Sequence, residues 1–103
     1  MDGEQDLLDS AAALLDAVER LTVGATTAAA RDVGLHVWAA GAALRELGIG
    51  PITPSDDLDV AVGLRFALDQ LDALSFTTRT TTAAGVAITH TRSALAAWTI
   101  AAA

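Results

Sequence analysis

Residues 34–51 read GLHVWAAGAALRELGIGP, and how this stretch is understood decides the fold. Val33, Val37, Ala40, Leu44 and Leu47 recur every three or four residues, which predicts an α-helix with one apolar stripe over about residues 26–47. Gly34, Gly41 and Gly48 nevertheless fall seven residues apart in the same stretch, with Trp38 between the first two. A glycine inside a helix costs roughly 1 kcal/mol relative to alanine. Gly34, Trp38, Gly41, Arg45 and Gly48 line up as a second stripe, rotated by about 100° from the aliphatic one. An indole standing between positions that carry no side chain makes a knob beside notches, a shape that receives another helix closely. Gly48, with Pro51 shortly after it, reads as a left-handed cap and a stop.

Three further helical segments follow from the same periodicity. Over 5–22, Leu7, Ala11, Leu14, Val18 and Leu21 form a stripe widened by Leu8 and Leu15, and Val23-Gly24 ends it. Over 54–76, Thr53-Pro54-Ser55-Asp56 looks like a helix start, and Val60, Leu64, Ala67, Leu71 and Leu74 form the apolar face. Arg65, Asp69 and Asp72 share its opposite side. Over 82–102, Ala84, Ile88, Thr91, Leu95 and Trp98 keep helical spacing beside a stripe of Ala83, Ala87, His90, Ala94, Ala97 and Ala101. The run TTRTTT at 77–82 is β-branched and suits extended chain, and a strand over 86–91 competes with the helix there. The expected fold is all-α: a small antiparallel four-helix bundle forming one domain over 1–103, its short connections implying up-down order.

Composition narrows the function classes. Net charge is −7, with six arginines and no lysine, so the cation cluster needed to neutralise phosphates is missing and nucleic-acid binding is not expected. An anionic membrane surface is disfavoured for the same reason. Residues 81–103 are long enough to span a bilayer, but His90 and Arg92 near their middle argue against a membrane segment. The acidic start MDGEQDLLDS does not resemble a secretory leader, and with no cysteines the chain suits the reducing cytoplasm. Hydrophobic residues make up 52% and charged ones only 18%, more apolar surface than a small monomer hides, which points to self-association.

Catalytic chemistry finds little material. His36 stands four residues after Asp32, the spacing of an exposed helical contact, and His90 lies on the small stripe of the last segment. A histidine buried between copies would make assembly depend on pH. No metal-binding motif of the H-E-x-x-H type appears, and SDDLDV at 55–60 lacks the glycine and glutamate of a calcium loop, so its aspartates read as helix-start charges. Serines 10, 55, 75 and 93 sit in no nucleophile elbow, and no phosphate-binding glycine loop is present. No cofactor and no enzymatic activity are expected. The reading is a non-catalytic interaction or scaffold module that associates with itself, with another protein as the alternative partner. Its interface is placed on Gly34, Trp38, Gly41, Arg45, His90, Ala94, Ala97 and Trp98. The alternatives are a binding protein for a small apolar ligand beside Trp38, an accessory subunit of a larger protein, or burial of both faces within the monomer.

Overall fold

A computed structural model describes residues 3–50 and 59–102 and folds them into α1 (Gly3–Thr22), α2 (Ala28–Glu46), α3 (Val60–Asp72), a single turn α4 (Phe76–Arg79) and α5 (Thr82–Ala102). Among the described residues there is no strand, so the competing strand at 86–91 is helix. The fold is the all-α bundle that the periodicity predicts.

The helix ends follow local chemistry. Gly24 and Gly48 have φ of +77° and +82° and close α1 and α2 in the left-handed conformation that side-chain-bearing residues avoid. Thr27 caps α2, its hydroxyl accepting from the Ala30 amide. The third helix differs from expectation at both ends. Asp59 is extended, with φ −85° and ψ 163°, and its carboxylate accepts from the Val62 amide at 2.8 Å. An N-cap in that conformation means the helix begins at Val60 and does not continue from 54. The start signal Thr53–Asp56 lies outside the described residues. At the other end α3 stops at Asp72, and Ser75 caps the separate turn α4. The threonine run is therefore not extended. The hydroxyls of Thr80 and Thr81 donate to the carbonyls of Phe76 and Thr78, at 2.8 and 2.6 Å, so the side chains satisfy backbone groups where the turn ends.

The four long helices close a ring in which α1 packs on α2 and α3, and α5 packs on α2 and α3. The start of α1 meets the ends of two helices. The Gly50 amide donates to the Asp9 carboxylate at 2.8 Å, and the Ser75 amide donates to Glu4 at 2.9 Å. Both α2 and α3 thus run against α1, and in the same direction as each other. The order around the ring is α1–α2–α5–α3, not the sequential up-down order that short connections imply. The connection after α2 leaves from the start of α1, whereas Gly63 near the beginning of α3 lies against Val18 near the end of α1.

Leu15, Leu44, Leu64, Leu71, Val18, Val33, Val37 and Thr91 are the largest side chains fully removed from solvent. The apolar faces of α2 and α3 are those expected. That of α1 is turned: Leu8, Ala11, Leu15 and Val18 are buried, Leu7 and Leu14 are half-buried, and Leu21 is exposed. A helix wedged between two neighbours buries a broad arc whose centre is set by the line between them.

Candidate functional site

The stripe Gly34–Trp38–Gly41–Arg45 was expected to present one continuous face, and the bundle divides it. At Gly34 a Cβ would stand 3.0 Å from the Thr22 hydroxyl, so this notch is occupied by the chain's own first helix. At Gly41 a Cβ would meet nothing within 4 Å. The crevice beside it, between Ala12, Asp16 and Arg45, holds only about 10 Å³, room for one water and not for a ligand. Trp38 is 59% exposed and Leu35, on the same outer side of α2, is 68% exposed. Arg45 is exposed as well. The indole borders a shallow depression, open to solvent, that runs over Ala39 and Ala42 to Ala83 and Val86 of α5.

The α5 half of the predicted interface is a correction. Ala94 is 0% exposed and belongs to the core with Ala84, Ala87, Ile88 and Thr91. Ala97 and Trp98 are half-buried against that core. The two stripes of α5 merge into one broad buried face because α5 packs against α2 on one flank and α3 on the other. Of the small stripe, Ala87 and Ala94 are buried, Ala83, His90 and Ala97 are half-buried, and Ala101 is exposed. His90 is likewise engaged within the chain. Its Nδ1 lies 2.9 Å from Nδ1 of His36, one ring donating and the other accepting, with ring centroids 5.2 Å apart and planes tilted by 39°. His36 thus meets a histidine on α5, where the sequence suggested Asp32 one turn earlier on its own helix. Nothing in the sequence signals this pair, whose members stand 54 residues apart. It becomes visible only once α2 and α5 are known to lie side by side.

Sequence reasoning also passed over apolar residues on α3: Val62 and Phe66, one turn apart, are both exposed, as is Phe76. Charged groups elsewhere serve the fold. The Gly50 amide, and then the Gln5 side chain, hold the Asp9 carboxyl below its ordinary range. The Ser75 hydroxyl and amide do the same for Glu4. Arg92 pairs with Asp72 at 3.5 Å across α5 and α3 on the exposed surface, a contact of small energetic weight. Among the described residues no group of three or more histidine, cysteine, aspartate or glutamate side chains converges on a metal position. No helix among them is long and apolar enough to cross a membrane.

Comparison with known protein families, with curated proteins and with solved structures finds no match to this chain.

Proposed function

We propose that the protein is a non-catalytic helical interaction module that associates with a second copy of itself through the outer face of α2, centred on Trp38, and that it works in the cytoplasm. The observation that carries this reading is the exposure of Trp38 beside Leu35 on a helix whose neighbouring positions, Ala39, Gly41 and Ala42, are small. An indole offers a large apolar area at low conformational cost, and such side chains supply much of the energy of protein interfaces. Small flanking residues allow a facing helix to approach the backbone. Of the eight residues named from the sequence, Trp38, Gly41 and Arg45 remain available for this face. Gly34, His90, Ala94, Ala97 and Trp98 are engaged partly or wholly inside the bundle. The open shape of the depression beside Trp38 suits a partner's side chains better than an enclosed small ligand.

Sedimentation across a concentration series into the high micromolar range tests the reading. The native chain should pass from monomer to dimer, and Trp38→Ala should remain monomeric while keeping its helical circular dichroism. Gly41→Leu gives a sharper contrast. A Cβ at this position meets nothing within 4 Å in the monomer, whereas a leucine would overfill a contact between copies, so the variant should keep its helical circular dichroism and dimerise less. A native chain that stays monomeric throughout, or a Trp38→Ala variant that dimerises equally well, removes the proposal.

A further inference from the structure

The outer face of α2 carries its charges in an order that selects how a second copy can lie on it. Ala28, Leu35 and Ala42 recur at seven-residue spacing on the side of the helix opposite the buried Val33, Val37, Ala40 and Leu44. Arg31, Trp38 and Arg45 flank that line toward α1, where Arg45 borders a crevice with Asp16. Asp32, Ala39 and Glu46 flank it toward α5, where Ala39 and Glu46 border Ala83 and Val86. The two flanks stand about 100° apart around the helix. One is cationic at both ends with the indole between; the other is anionic at both ends with a methyl group between. All four charged side chains are exposed, and none of them forms an ion pair among the described residues.

We infer that two chains join by parallel, in-register packing of α2 on α2, with the indole of each copy seated on the partner's Ala39 and in the depression beside it. This orientation rests on the self-association through α2 proposed above, and it adds the register and the charge pairs that select it. A two-fold axis running along the helices turns the α1-side flank of one copy onto the α5-side flank of the other. Arg31 then faces the partner's Asp32, Trp38 the partner's Ala39 and Arg45 the partner's Glu46, each match one residue or about 1.5 Å of rise apart. Ala28, Leu35 and Ala42 meet their own copies along the seam, and the two alanines allow the backbones to approach. Antiparallel packing, with its two-fold axis across the helices, lays each flank on its own copy. It opposes Arg31 to Arg45 and Asp32 to Glu46. Exposed ion pairs add little affinity singly, but opposed like charges are disfavoured, so the charges select the orientation while Trp38 and Leu35 supply the apolar area.

Because the chain contains no cysteine, single introduced cysteines report the orientation in the full-length protein. Under mild oxidation of the dimer, Ala28→Cys and Ala42→Cys should each cross-link to their own copy. Parallel register brings like positions within the roughly 4.4–6.8 Å between Cα atoms that a disulfide spans. Sedimentation then compares charge variants. Arg45→Glu places a carboxylate opposite the partner's Glu46 and should weaken dimerisation about tenfold, and adding Glu46→Arg should restore it. In an antiparallel dimer Arg45→Glu would instead relieve the repulsion from Arg31 and strengthen association. Circular dichroism of each variant checks that the helices are retained. A dimer that Arg45→Glu leaves unchanged or strengthens, or one in which neither cysteine links to its own copy, overturns the parallel register and leaves self-association through Trp38 standing. A native chain that stays monomeric overturns both.

Discussion

Gly63 of α3 lies so close to Val18 of α1 that a Cβ on the glycine would come within 2.7 Å of the valine Cγ2. Among the described glycines it is this one, unmarked by the heptad spacing of Gly34, Gly41 and Gly48, at which an added Cβ would meet the nearest neighbour. Valine is stiff about χ1 and fully buried, so it cannot swing aside cheaply. Gly63→Ala should therefore destabilise the fold by about 1–2 kcal/mol, overpacking outweighing the gain in helix propensity. The double variant Gly63→Ala, Val18→Ala should lose less than the sum of the two single changes. Urea denaturation of the three variants provides the comparison.

Gly41 should behave in the opposite way. A methyl group there meets open space within the chain, so Gly41→Ala gains helix propensity without a clash. The variant should be more stable than the native chain by roughly 0.5–1 kcal/mol when measured on dilute monomer. A loss of stability under those conditions would mean that Gly41 packs against something within the bundle.

Asp9 ties the start of α1 to Gly50 through the glycine's amide, and its carboxyl is held below the ordinary value of 3.8. A group whose pKa is lower in the folded than in the unfolded state stabilises the fold above the unfolded value and loses that contribution as pH falls through the folded one. The native chain should thus be more stable than Asp9→Asn at about pH 6, with the difference shrinking as pH falls below the ordinary value of 3.8 and through the lowered one. Thermal melts of the pair across that range measure it. A difference that stays constant with pH would exclude the carboxylate as its source.

Asp59 opens α3 by accepting from the Val62 amide. Asp59→Ala should cost about 1 kcal/mol, and Asp59→Ser should restore most of the loss, since a hydroxyl can accept the same hydrogen bond. Hydrogen exchange at Val62 should accelerate in the alanine variant and not in the serine one.

Much of the fold was legible from periodicity. The buried positions of α3 and the bounds of α5 match expectation, because a long, regular apolar pattern leaves little freedom in the choice of helix face. The arc of α1 was misjudged by about one residue, and Leu21 turned outward, because two flanking helices set the centre of a face that carries leucine at 7, 8, 14, 15 and 21. The candidate site was less legible. A stripe of small residues looks alike in sequence whether it faces the chain's own helices or another molecule, so Ala94 and Gly34 could not be told from Gly41. The helix order could not be read either, because the connection after α2 carries no sign of which end of the bundle it reaches. His36 and His90 were each visible, but their meeting depends on that order.

The ring order has a kinetic consequence. The chain contains two local hairpins, α1 with α2 and α3 with α5, each pair adjoining in space as well as in sequence. The two seams between hairpins, α1 on α3 and α2 on α5, unite residues far apart along the chain. Loop-closure entropy favours early formation of each hairpin and leaves the joining of the halves as the slower event. Substitutions inside one hairpin are accordingly placed to govern how fast the molecule assembles, whereas those along the α2–α5 seam, whose contacts are completed last, chiefly set how long it stays together.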